Sequence, residues 1–230
     1  MARRPESRAR GEIDDVRARE ATTVFGLSQI AILFTHLWTV VRAAPRSREL
    51  LAEDGVWLRA RDAFAFLLLL LTGLRRFEFC RLTCDDFVAA DARLWVVGKG
   101  RVRDYVPLPE PAVQLLRDWF GIKELRGESV AGDAPLFCAT GIGGGEFLSF
   151  SALRLRWKQV LAEAGLPVTF GLHATRHTAG LLAFAATGSI EKTARFLRHR
   201  DTATTARHYL HVDADALRAE LSAITLWRSP

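Results

Sequence analysis

The chain is poor in three reactive residue types: it has three cysteines, two tyrosines and, against 28 arginines, only four lysines. The cysteines, Cys80, Cys84 and Cys138, are odd in number and follow no repeating spacing, which argues against a disulfide framework and for the reducing cytoplasm. Cys80 and Cys84 lie four residues apart, but no second pair completes a zinc site, so they read as buried thiols. Any chemistry that needs a lysine must use Lys99, Lys123, Lys158 or Lys192. Apolar runs fit for a membrane are also missing. AFAFLLLLLT at 63–72 is far too short to span a bilayer and is bounded by Arg61 and Arg75. VFGLSQIAILFTHLWTVV at 24–41 is long enough but carries Ser28, Gln29, Thr35 and His36 behind a segment of mixed charge, so it reads as neither anchor nor signal. No internal repeat and no low-complexity tract interrupts the chain.

What is present fits one main folded domain: 230 residues, 49% hydrophobic and 10% aromatic. Thirty-two basic against 26 acidic residues give a net charge of +6, which favours a polyanion as partner. The pattern predicts a charged flexible arm at 1–22, then helices at 27–43, 58–72 and 76–82. DFVAADARLWVVGKGRVRDYVPLP follows, three short β-prone runs that read as an antiparallel three-stranded meander closed by Pro107 and Pro109. Helices resume at 110–124 and 150–164, each ending near a glycine, Gly121 and Gly165. The last third is helical, broken by Gly188, by a turn at 199–203 and by the acidic step Asp213 to Asp215.

Four stretches carry candidate chemistry. In TGLRRFEFCRL (72–82), Gly73 permits a sharp turn that lifts Arg75 toward a cavity, with Glu78 one helical turn on to orient its guanidinium; the alternative is an ordinary helix-end cation. GKG at 98–100 sets Lys99 in a hairpin turn, where flanking glycines by themselves require only positive φ. HATRH at 173–177 puts His173, Arg176 and His177 on one helix face, without the glutamate of a zinc-hydrolase HExxH motif. LRHRDTATTARHYLHV at 197–212 surrounds one of the two tyrosines with histidine and arginine, either as packing or as a nucleophile poised for an anion. GIGGG at 141–145 lacks the strand-to-helix context of a phosphate loop and reads as a surface loop.

Taken in order, TGLR with a glutamate three residues on, the hairpin GKG, HxxRH, and a histidine followed ten residues later by tyrosine resemble the tyrosine recombinase, or phage integrase, family. The likeness runs from about Leu27 to His211. It implies a mainly α catalytic domain with a small three-stranded meander at 23–212, preceded by the arm and followed by a tail at 213–230, whose apolar stripe either packs on its own domain or, as the resemblance favours, docks in trans on a neighbour. It implies Arg75, Lys99, His173, Arg176, His199 and Tyr209 as catalytic residues, with Glu78 and His177 orienting them.

Such a set answers a physical need. A phosphodiester repels nucleophiles, and two arginines hold the charge that gathers on its non-bridging oxygens in forked hydrogen bonds. A phenol near pKa 10 needs a base, for which His173 is placed, and the departing 5′ oxygen needs an acid, for which Lys99 is placed. The expected product is a covalent 3′-phosphotyrosyl link, made with neither metal nor cofactor. The implied partners are double-stranded DNA, further copies of the chain in a tetrameric synapse, and an accessory DNA-bending or DNA-binding protein; no membrane is involved.

Arg154, Arg156 and Lys158 are candidate DNA contacts on the 150–164 helix. Two features depart from the family: the turn before His199 reads LRH where LGH is usual, placing Arg198 at the glycine position as a further candidate DNA contact, and the interval from His199 to Tyr209 is one residue longer than usual. Only about 26 residues precede the catalytic region, where the family usually carries a separate DNA-clamping domain; short forms such as fimbrial phase-switch invertases are similar. The alternatives are a type IB topoisomerase-like enzyme, an inactive DNA-binding regulator of the same fold, and a zinc-histidine protein.

Overall fold

The computed structural model describes residues 24–98, 102–139, 145–199, 201–209 and 212–223. The arm at 1–22, Lys99, residues 141–144 of the GIGGG loop and the tail from 224 lie outside the described residues.

Apolar residues three and four apart place Ile30, Leu33, Phe34, Leu37 and Val41 on the buried face of α1 (Leu27–Arg42). A one-turn helix that the sequence pattern does not announce, α2 (Arg48–Leu51), starts on Ser47, whose hydroxyl accepts from the Leu50 amide at 3.4 Å. Next comes α3 (Asp54–Thr72), in which every residue from Ala60 to Thr72 is buried. The apolar run is therefore a central core helix, against which α1 and later helices pack. Its two buried charges need partners. Arg61 pairs with Asp62 at 2.6 Å and donates to the Cys138 and Ala139 carbonyls at 3.0 and 2.5 Å. Helix α3 starts earlier than its apolar run, at Asp54, whose carboxylate suits the first turn and meets Arg126 at 3.2 Å.

After Gly73 comes α4 (Arg76–Phe79), shorter than the predicted 76–82, since the chain turns at Cys80 to enter the sheet. β1 (Phe87–Val88), β2 (Arg93–Val97) and β3 (Arg103–Pro107) form an antiparallel meander in that order, with Leu94 opposite Val106 and Trp95 opposite Tyr105. Alternation buries Leu94, Val96 and Val106 and leaves the Trp95–Tyr105 edge contact at 5.8 Å on the outer face. Tyr105 is thus a strand residue with a packing partner.

Helix α5 (Glu110–Arg126) runs through Gly121 and stops at Gly127, which takes φ 83°; the positive φ ends the helix, and a glycine without it does not. Helix α6 (Phe150–Glu163) begins on Ser149, whose hydroxyl accepts from the Ala152 amide at 3.1 Å. Four helices close the chain: α7 (His173–Thr187), α8 (Ile190–Leu197), α9 (Thr202–Tyr209) and α10 (Ala214–Ala223). α7 packs on α3, and α8 and α10 pack on α7, so the C-terminal third wraps the end of the core helix where Gly73 turns. Among the described residues, no helix is long and apolar enough to cross a membrane.

Candidate active site

The site is built where α3 ends, α7 begins and α8 stops. At Gly73 (φ 61°) a Cβ would lie 2.8 Å from Leu197 Cδ2 and 3.1 Å from Ala179 Cβ, so only glycine lets this turn press against α7 and α8. The chain leaves the turn at Arg75. Its amide donates to Glu78 Oε2 at 2.8 Å, its Nη1 to Glu78 Oε1 at 2.8 Å, and its Nη2 to the Arg198 carbonyl at 2.8 Å. Arg176, from the first turn of α7, donates from Nη1 to the Gly73 carbonyl and from Nη2 to the Leu197 carbonyl. Arg75 and Arg176 therefore end on adjacent carbonyls at the C-terminus of α8, where unpaired acceptors and the negative end of the helix dipole favour cations.

Charge is concentrated there. Burial, then repulsion from Arg75 and Arg198, pulls the Arg176 guanidinium down to about 9. Burial alone would raise the Glu78 carboxyl, but Arg198, followed by the Arg75 amide and guanidinium, holds it below its usual value. An anion placed between Arg75 and Arg176 would relieve their mutual repulsion.

Four histidines line the same region: His173, His177, His199 and His208. The rings of His173 and His177 meet edge to face at 4.8 Å, and those of His177 and His208 at 4.8 Å. Burial, reinforced by neighbouring cations, lowers His173 and takes both His177 and His199 down to about 4, so these rings are neutral at pH 7. His199 Nδ1 lies 2.7 Å from Thr205 Oγ1. The histidines stack without converging on a point, and among the described residues no group of three or more His, Cys, Asp or Glu is arranged to hold a metal ion.

Tyr209 closes α9 and is 5% exposed. Its ring stacks on Phe184 at 5.3 Å, and its hydroxyl donates to the His177 carbonyl at 3.4 Å. A Cβ at position 180 would lie 2.4 Å from that hydroxyl, so Gly180 is the gap in α7 that admits the phenol. Burial pushes the phenol up to about 12 against the pull of Arg176. In this conformation the nucleophile candidate is neutral and stored.

Arg75, Glu78, His173, Arg176, His177, Arg198, His199 and Tyr209 thus come from four helices and their ends into one neighbourhood; Lys99 lies outside the described residues. A cavity of about 520 Å³ opens beside them, lined by Arg75, Arg76, Arg154, Lys158, His173 and Arg176 over an apolar floor that includes Trp157 and Phe170. Arg154 and Lys158 face it, but two other candidate DNA contacts turn elsewhere. Arg156 bonds to Asp62, and Arg198 bonds to Glu78 at 2.7 Å with its side chain 8% exposed. Both answer a buried carboxylate that needs a cation. Sequence reasoning missed His208, whose only signal is its place beside Tyr209, and Gly180, a glycine in mid-helix with no turn to make.

Two arginines that end on neighbouring carbonyls, neutral imidazoles and a buried phenol thus lie together on a mainly helical domain bearing a small three-stranded meander. The sequence profile of the phage integrase family matches residues 48–216, and the chain belongs to that family. It is 30% identical over 156 residues to the tyrosine recombinase XerC of Alcanivorax borkumensis, covering 68% of this chain and 49% of that protein. It is 34% identical over 170 residues to a tyrosine recombinase of Synechococcus elongatus, covering 71% of this chain and 52% of that one. The chain thus spans about half the length of the curated relatives it matches. In fold it is similar to XerH bound to its palindromic difH substrate in a post-cleavage complex (TM-score 0.64, 22% identity, 88% of this chain and 53% of that chain). It is also similar to XerA recombinase (TM-score 0.62, 19% identity, 90% of this chain and 66% of that chain).

Proposed function

We propose that the chain is a site-specific DNA recombinase whose catalytic region, about 23–212, cleaves and rejoins double-stranded DNA through a 3′-phosphotyrosyl intermediate. The observation that carries this reading is the meeting of Arg75 and Arg176 on neighbouring carbonyls of one helix end, beside a lone buried tyrosine.

The scissile phosphate exchanges those carbonyls for its non-bridging oxygens as partners of the two guanidinium groups. Tyr209 leaves its place on Phe184; His173, neutral at pH 7, accepts the phenol proton, and the oxygen attacks phosphorus. The P–O5′ bond breaks, its electron pair stays on the leaving oxygen, and Lys99 protonates that oxygen. Resealing by a different 5′ hydroxyl runs the same steps backward, so neither metal nor nucleotide is consumed. His199 donates to the phosphate, while Glu78 and His177 orient their neighbours. We further propose a tetrameric synapse on DNA, an accessory DNA-bending or DNA-binding protein, and action in the cytoplasm.

The test incubates the full chain with nicked suicide duplexes tiled across the DNA flanking its own gene and separates covalent adducts under denaturing conditions. Wild type is expected to give an adduct and Tyr209→Phe none. An adduct in both, or in neither, overturns the proposal. An adduct without strand exchange between paired sites would indicate a nicking and resealing enzyme.

A further inference from the structure

Arg198 stands where the family usually has glycine, and it adopts the left-handed backbone (φ 55°) that glycine takes without strain. An arginine held there needs a compensating role. Its bonds form a closed ring with Arg75 and Glu78: Arg198 Nη2 to Glu78 Oε2 at 2.7 Å, Glu78 Oε1 to Arg75 Nη1 at 2.8 Å, and Arg75 Nη2 back to the Arg198 carbonyl at 2.8 Å. Its Nη1 also reaches the Phe196 carbonyl at 3.3 Å, which fixes the fork.

Counting charges shows what the guanidinium adds. Arg75 and Glu78 alone form a neutral pair, in which the carboxylate competes with any phosphate for Arg75. With Arg198 on the other carboxylate oxygen, the ring carries one net positive charge. The carboxylate is then shared, and Arg75 keeps charge for an incoming anion. The backbone serves the same end, because the Leu197 and Arg198 carbonyls hold Arg176 and Arg75, and the following residue is His199.

We propose that Arg198 is a positioning residue for the reaction: it acts through Glu78 to leave Arg75 oriented and electrostatically available to the phosphate, and does not itself touch DNA. This rests on the recombinase reading, yet its test has an arm that does not. Inorganic phosphate titrated into the full chain and followed calorimetrically reads the charge left at Arg75 and Arg176, whatever the enzyme's activity. Arg198→Gly is the informative variant, because glycine suits the backbone and the fold survives.

The expected results are an unfolding midpoint close to or modestly below that of wild type, because relief of the left-handed backbone offsets part of what Glu78 loses with one of its two cations, together with weaker phosphate binding and a single-turnover cleavage constant about 10- to 100-fold lower. Adding Glu78→Gln to Arg198→Gly removes the uncompensated carboxylate and should restore part of the phosphate binding and of the rate, which loss of a purely structural contact would not do. Wild-type phosphate affinity in Arg198→Gly, or a double variant no better than the single one, overturns the proposal. Absence of any adduct from wild type, with the phosphate series behaving as expected, instead removes the recombinase reading.

Discussion

At the scale of single residues, the site is governed by what burial does to groups that the proposed reaction asks to carry charge or protons. Gly180 is the sharpest case. Alanine would gain about 1 kcal/mol of helix propensity there, but its Cβ would lie 2.4 Å from the Tyr209 hydroxyl. Overpacking of that kind costs about 1–3 kcal/mol, and the cheapest escape is for the phenol to leave. In a Tyr105→Phe background, the phenol should titrate near 12 with Gly180 and fall toward 10 in Gly180→Ala, read by phenolate absorbance. An unchanged titration would mean that the gap does not hold the tyrosine. The sign for stability agrees: a phenol raised on folding stabilises fully below pH 10, and that contribution is lost as pH rises through 12.

The histidines work in the opposite direction. His177 and His199, held down to about 4, are neutral in the fold and become charged near 6.5 when unfolded, so their contribution is complete above pH 6.5 and disappears as pH falls through 4. Thermal unfolding midpoints should be level from pH 7 to 8 and decline below 6.5. His177→Gln, which cannot take up the proton, should flatten that decline.

At the scale of elements, the legible parts were those whose chemistry follows chain order or local period. The helices came from apolar spacing, the meander from β-prone runs between turns, and the candidates Arg75, His173 and Arg176 from the order of motifs along the chain that resembles the family, each motif alone allowing an ordinary structural reading. Bonds across the fold were not legible. That Arg198 would reach Glu78, 120 positions away, depends on how α8 lies against the end of α3. The three cations of α6 show the same limit. Arg154 and Lys158, four apart, share the face toward the cavity, whereas Arg156 falls between them and turns to buried Asp62. On duplex DNA, Arg154→Ala and Lys158→Ala should each reduce the slope of log affinity against log salt by about 1. Arg156→Ala should leave the slope unchanged and cost about 1–3 kcal/mol of stability, because Asp62 loses one of its two cations. Equal slopes for all three variants would show that the cavity face is not the DNA face.

At the scale of the whole molecule, the question is what α10 covers. In a single chain it lies on α7, with Leu217 and Leu221 buried and Arg218 donating to the Ala185 carbonyl at 2.8 Å. The same α7 carries Phe184 and Gly180, which hold Tyr209, so the helix that seats the buried phenol also receives the tail. Each buried leucine contributes about 1.5–3 kcal/mol, so a chain ending at His211 should unfold at lower temperature while still forming a covalent adduct on a suicide duplex. If in the proposed synapse the tail leaves its own α7 and docks on a neighbour, the vacated surface is the seat for the next tail, and a closed ring of such exchanges costs little because each contact is replaced by an identical one. Sedimentation on DNA carrying paired sites should then give a tetramer for the full chain and only singly occupied sites for the shortened one. A shortened chain that still assembles and exchanges strands would assign the tail to its own domain alone.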